Sequence, residues 1–316
     1  MFNFLRYSSH QALEKPIDFL KFIWISLGFS ILIFLTFSGF YLYRYHKIGS
    51  AFNYSVDFTG GVQTLFKFDK PVNSQNLIKV LDENGWSGTV AREFNPKEHL
   101  IRVKKETKDV KEEAENIRKT IQKNLTGNYN VELLKVDSVG GATGSKLWIK
   151  SFYAIGISLL AMLIYIGLRF WNNAYAAGAI ISLFHDAVVI LTVFLILDKE
   201  ISINVIGAIL AVLGYSINDT IVIFSKIRDN VKKYPDKSLR DIINISTTET
   251  LSRTILTTLS TLLVVISLLL FGGDILSDLS LALLVGIVFG IYSTIFIANP
   301  VLLLLYKDNK INKITK

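Results

Sequence analysis

Residues 214–230 read GYSINDTIVIFSKIRDN. Their first half continues an apolar run that begins at Ile201, yet Asn218 and Asp219 stand side by side within it. An aspartate at the centre of a membrane helix costs about 2.5–3.5 kcal/mol. A residue kept at that cost usually faces the protein interior, and it often marks an ion or proton path. The stretch therefore points both to helices that cross a bilayer and to a polar interior between them.

The rest of the chain agrees. It has 316 residues, 51% of them hydrophobic, and a mean hydropathy of +0.41, more apolar than an ordinary soluble domain. It has no cysteine, so a disulfide framework and a cysteine-based metal site are both excluded. A span needs roughly 20 mainly apolar residues. Segments 22–43, 147–168, 174–197, 201–224, 251–271 and 279–306 meet that requirement. The first is longer than a usual signal-peptide core and has no small-residue cleavage site after it. A soluble core helix is rarely apolar all round for this long.

The formal charge of +8 is distributed unevenly. With residues 1–21 in the cytoplasm, Arg6, Lys15, Lys21 and Arg169 all fall on that side. So do Lys226, Arg228, Lys232, Lys233, Lys237 and Arg240 of a basic loop at 225–250, and Lys307, Lys310, Lys313 and Lys316 of the tail at 307–316. The opposite side receives the short loops DKE and GGDILSD, with one lysine between them. This is the positive-inside pattern, and it predicts contact with anionic lipid of the inner leaflet. No nucleic-acid motif is present.

Residues 44–146 form the one long polar insert, on the outer side in this topology. VQTLFKF alternates with period two, as a strand does. SQNLIKVLDEN reads as a helix capped by Ser74 and ended by Gly85. GTVAREF and HLIRVKK read as strands around the turn NPKE, DVKEEAENIRKTIQKNL as a second helix, and YNVELLKVDSV as a last strand. The order βαββαβ predicts a small α+β ferredoxin-like domain outside the cytoplasm. No Ser/His/Asp arrangement, metal-ligand spacing or cofactor motif accompanies it, so a binding or lever module is expected rather than an enzyme.

Asp186, in LFHD, lies near the middle of its span, with Gly178 and Ser182 on the same face. Asp219 lies about seven residues past the centre of the next span, roughly 10 Å nearer the cytoplasm. Gly207, Ala211, Gly214 and Asn218 share one face of that helix, and Ala208, Val212, Tyr215 and Asp219 the adjoining one. Both are expected to face inward, because small residues let helices approach closely in lipid. Ala282, Gly286, Gly290 and Thr294 line the last span, and Arg253 stands at the mouth of the hydroxyl-rich fifth. The proton-path candidates are Asp186, Asp219 and Asn218, with His185, Arg253 and Arg228 in support. The alternative is that the acids serve only helix packing and that Lys226 and Arg228 are membrane anchors.

VDFTGG at 56–61, the insert after a first span, LFHD, and GYSINDTIVIFSKIRDN together resemble the SecF family of bacterial protein-export subunits. LSRT and LFGG fall where that family has them, and the resemblance runs over nearly the whole chain. It implies a six-helix half of a resistance-nodulation-division type bundle in the inner membrane. It also implies a SecD partner, work with the SecYEG channel on translocating preproteins, and use of the proton-motive force. The family's membrane acid maps to Asp186 and its ND pair to Asn218 and Asp219. Where the family tail opens with Asp-Arg, this chain has Ser225-Lys226, and where it has VGPxVGxEL, this chain has VGGATGSKL. In VDFTGG a strand ending in Thr-Gly-Gly would make a tight turn, with Asp57, Gly60 and Gly61 coupling the domain to the first span. Two other classes stay open: a non-conducting scaffold of the translocase, and a small-molecule or lipid exporter of the same superfamily. An aromatic-lined pocket pattern in the insert would mark the exporter, and none is seen.

Overall fold

The computed structural model describes residues 15–86, 89–103, 109–125, 127–139 and 141–306. Arg6, Gly140, Lys307, Lys310, Lys313 and Lys316 lie outside the described residues. The chain divides into two compact units. One comprises Asn53–Tyr153 with Glu200–Ile203, the other Met1–Phe52, Ala154–Lys199 and Asn204–Lys316. In chain order the helices are α1 (Ile23–Ile48), α2 (Val56–Thr59), α3 (Ser74–Glu83), α4 (Val110–Asn124), α5 (Gly141–Phe170), α6 (Asn173–Ile196), α7 (Ile203–Lys233), α8 (Leu239–Phe271), α9 (Gly273–Ser293) and α10 (Asn299–Leu305). The strands are β1 (Asn53–Tyr54), β2 (Gly61–Phe68), β3 (Val90–Asn95), β4 (Glu98–Val103), β5 (Val131–Val139) and β6 (Glu200–Ile201).

In the smaller unit, β3-β4-β2-β5 form an antiparallel sheet with α3 and α4 as its two connecting helices. This is the expected ferredoxin-like βαββαβ order. Period two puts Val62, Phe66 and Phe68 of β2 on the helix side. Spacing of four puts Leu77 and Leu81 of α3, and Ile117 and Ile121 of α4, against them. A side chain of that size contributes about 1.5–3 kcal/mol when fully buried. The cap of α3 is Asn73, whose side chain accepts from Gln75 N at 2.8 Å, and not Ser74, whose hydroxyl meets His99 Nδ1 at 3.2 Å instead.

The VDFTGG segment departs from expectation. Residues 56–59 make one helical turn, capped by the Ser55 hydroxyl, and β2 only begins at Gly61. Gly60 and Gly61 take φ of 72° and 112°, a pair of positive values open mainly to glycine. Just before this turn, β1 pairs in parallel with β6. Asp57 Oδ2 accepts from Ser55 Oγ at 2.9 Å and from Ile203 N at 3.0 Å. Ile203 opens α7, so Asp57 binds the start of the fourth span, not the first. Arg102 locks β6 by pairing with Glu200 at 2.6 Å and donating to Tyr54 O. The return junction is also helical from Gly141, and a Cβ on Gly144 would fall 2.8 Å from Phe58 O. Glycine at 144 permits this close packing.

The larger unit holds most of the six helices that are long and apolar enough to cross a membrane. Those of α6, α7 and α9 are the most buried. The segment expected as a basic loop at 225–250 is mostly helix. α7 continues to Lys233, and α8 begins at Leu239 behind the Ser238 cap, so only 234–238 connect them. Lys and Arg sustain helix well; Pro235 marks the real break. α9 runs through a π-helical turn at Thr294–Ala298 into α10. Pro300 lacks an N–H and its ring crowds the carbonyl four residues earlier, which a widened turn relieves. Gly178 of α6 packs on that turn: its Cβ would lie 2.7 Å from Ala298 O.

Candidate functional site

Asp186 is fully buried at the middle of α6. The hydroxyl of Ser216, on α7, donates to its Oδ2 at 2.7 Å. Its Oδ1 has no hydrogen-bond partner, and His185 Nδ1 stands 3.8 Å away. His185 has both ring nitrogens buried without a hydrogen bond, and its ring packs between Phe34 and Tyr292. Ser182, one turn back along α6, has a buried and unpartnered hydroxyl. Buried polar atoms normally find partners. Here four unpartnered atoms, of Ser182, His185 and Asp186, lie on one stretch of α6.

Asp219 follows Ser216 by three residues, so it is about 4.5 Å further along α7. It too is buried. Since α7 spans Ile203–Lys233, Asp219 sits near its midpoint. With Ser216 beside Asp186, Asp219 stands about one helical turn from Asp186 along α7. Thr220 bonds Thr294 of the π turn at 2.9 Å, continuing the polar layer onto the last helix. Glycines admit the contact: a Cβ on Gly290 would come 3.2 Å from Ser216 Oγ, and one on Gly286 2.5 Å from Val212.

The supporting residues divide. Arg253 of α8 is close enough to act electrostatically on Asp219. Arg228 is turned elsewhere, donating to Arg169 O at 3.3 Å and lying over the Phe170 ring. Asn218 is exposed, on the stripe of Gly207, Ala211 and Gly214, which also faces away from this chain. A Cβ on Gly207 or Gly214 would meet nothing within 4 Å. Only the Asp219 stripe points inward. Two participants escaped the sequence reading. Ser216 is an ordinary serine until α6 is placed beside it. Glu249, with 5% side-chain exposure, pairs with Lys226 at 3.4 Å and accepts from Asn230 Nδ2 at 2.7 Å.

A family profile described as "Protein export membrane protein SecD/SecF, C-terminal" matches residues 118–308, more than half of the chain. The chain belongs to the SecD/SecF family. A second profile, the SecD/SecF GG motif, matches residues 49–72 and so contains Asp57, Gly60 and Gly61. Similar curated proteins are both named protein translocase subunit SecF. That of Thermodesulfovibrio yellowstonii is 36% identical over 307 residues, 96% of this chain and 99% of that protein. That of Rickettsia bellii is 37% identical over 289 residues, 90% of this chain and 92% of that protein. Among solved structures, the chain resembles SecDF, a translocon-associated membrane protein from Thermus thermophilus, with TM-score 0.80 and 28% identity. A SecDF in a super-membrane-facing form matches with TM-score 0.64 and 29% identity. In both cases the match covers 92% of this chain but 39% of the solved one. This SecD/SecF family member is thus a multi-pass membrane protein of the protein-transport class.

Proposed function

We propose that the chain is the SecF-type subunit of a bacterial inner-membrane translocase that draws on the proton-motive force. It works with a SecD-type partner and the SecYEG channel to complete the passage of preproteins. Both termini lie in the cytoplasm, among anionic lipid, and the ferredoxin-like domain lies outside. The chain does no covalent chemistry and takes no cofactor. Protons pass by way of Asp186 and Asp219, and the Gly207–Gly214 stripe with Asn218 meets the partner. Asp57 accepts a hydrogen bond from Ile203, the first residue of α7.

The observation that carries this reading is the Asp186 carboxyl, buried at mid-span with one oxygen held by Ser216 and the other uncommitted. Most buried acids have their oxygens bonded. A proton carrier needs one free to take and give a proton. The energy supply is adequate: one charge crossing 100 mV provides about 2.3 kcal/mol.

The test replaces Asp186 in the full chain expressed with its partner. Asp186→Asn keeps size and hydrogen bonding but cannot release a proton. Normal accumulation and copurification are expected, with gradient-driven export lowered about 100-fold, the low end for a positioned proton-transfer group. Asp186→Glu keeps part of the rate. Wild-type export by Asp186→Asn, while the gradient still drives it, removes Asp186 from the path.

A further inference from the structure

Glu249 belongs to none of the groups used above. It is buried on α8, and a buried charge must be paired. From α7, Asn230 Nδ2 donates to its Oε2 at 2.7 Å and to Ser246 Oγ at 2.9 Å. Lys226 Nζ lies 3.4 Å from the same oxygen, on a side chain 37% exposed. Lys233 is also within electrostatic reach. The resemblance to SecF sequences would put an acid at Ser225; the acid that faces Lys226 comes from the next helix instead. Lysine holds it as a mobile point charge, without the fixed fork of arginine. The carboxylate is thus gripped on one side and open to exchange on the other.

α7 and α8 run antiparallel, with Asn230 opposite Ser246 and Lys226 opposite Glu249. Continuing that register puts Asp219 level with residues 256–257, which brings Arg253, Thr254 and Thr258 within about one turn of it. The electrostatic action of Arg253 on Asp219 agrees. Thr250, Thr254 and Thr258 recur at every fourth residue, and all three are buried. A helical threonine in an apolar setting commonly bonds the carbonyl four residues back. Thr247, Thr248 and Thr250 do so. Thr254 and Thr258 do not: their hydroxyls are buried and without a hydrogen-bond partner. By this register Thr254 stands between the levels of Glu249 and Asp219, and Thr258 just past Asp219. A hydroxyl both donates and accepts, so Thr254 with water beside it can pass a proton on.

We infer that Glu249 is the proton-exchanging group at the Lys226 end of the path, with the buried, unpartnered hydroxyl of Thr254 between it and Asp219. A protonated Asp219 releases its proton to water beside the Thr254 hydroxyl, and the Glu249 carboxylate takes a proton from that water. Glu249 then gives the proton to water beside Lys226, whose charge stabilises the carboxylate left behind. This rests on the proton-driven reading of the protein.

Inverted membrane vesicles carrying the full chain, its partner and the channel test it. Preprotein export is followed against an imposed proton gradient, over a pH series on the Lys226 side. Glu249→Gln is expected to lower the gradient-driven rate about 100-fold with accumulation unchanged, and Glu249→Asp to restore most of it and shift the pH profile. The double variant Lys226→Gln with Glu249→Gln leaves no charge unpaired and is expected to stay inactive. Recovery by that double variant makes the pair structural and overturns the proposal, as does wild-type export by Glu249→Gln. A lowered accumulation of Glu249→Gln that the double variant repairs has the same meaning. A wild-type rate that ignores the gradient is a different failure: it removes the proton-driven reading itself, and this proposal with it.

Discussion

His99, Arg102 and Asp186 are all buried, and each is held by a different means. Arg102 is neutralised by Glu200. Asp186 keeps one oxygen bonded and one open. His99 meets the Ser74 hydroxyl, and burial holds its pKa below the ordinary histidine value. The sign of the consequence follows. An unfolded chain takes up a proton on His99 near pH 6.5, whereas the folded domain takes it up only at lower pH. The unfolded state therefore binds more protons as pH falls below about 6.5, and the domain loses stability there. The thermal unfolding midpoint of the purified full chain should drop on acidification, and His99→Gln should flatten that drop. An equal pH slope in the two proteins would show that other groups carry it. At this scale the sequence exposed Asp186 and Asp219 readily, because a carboxylate in an apolar run is conspicuous. Glu249 was hidden because it sits among hydroxyls at the edge of a span, and only the position of α7 shows that it is buried.

Among the elements, helix faces decide which glycines matter. Gly178 of α6 lies against the backbone of the π turn, where Ala298 O leaves no room for a Cβ. Gly178→Ala should push α6 from the last helix and cost about 1–3 kcal/mol, as overpacking does. Gly214→Ala, with open space around it, should leave the stability of the chain unchanged. Thermal midpoints of the two purified variants compare them directly, and equal midpoints would refute the close packing at Gly178. The strands and helices of the ferredoxin-like domain were legible because periods of two and about 3.6 are local signals. Helix ends in the membrane were not, because hydropathy marks where lipid begins rather than where helical hydrogen bonding stops. Hence α7 and α8 absorb most of the segment read as a loop. The VDFTGG turn was misread for another reason: the Asp57 partner, Ile203, lies 146 residues away, beyond the reach of any local pattern.

At the scale of the whole molecule, the number of spans and the single large insert follow from the lengths of apolar runs, and the proposed orientation rests on where lysine and arginine fall. The basic residues past the middle of α7 belong to a helix, yet they still mark one end of it, so the charge rule survives the change in secondary structure. Lys97, at the exposed tip between β3 and β4, and Lys233, at the exposed end of α7, sit at the two places where the topology makes opposite claims. The chain contains no cysteine, so each can become the only thiol in the protein. In cells whose inner membrane is accessible from outside but intact, an impermeant thiol reagent should label Lys97→Cys and spare Lys233→Cys. Breaking the membrane should make Lys233→Cys react as well, which shows that the thiol was present and merely shielded. Labelling of Lys233→Cys before lysis, with Lys97→Cys protected, would invert the molecule. The ferredoxin-like domain would then be in the cytoplasm, which would remove the proposed action on chains outside it.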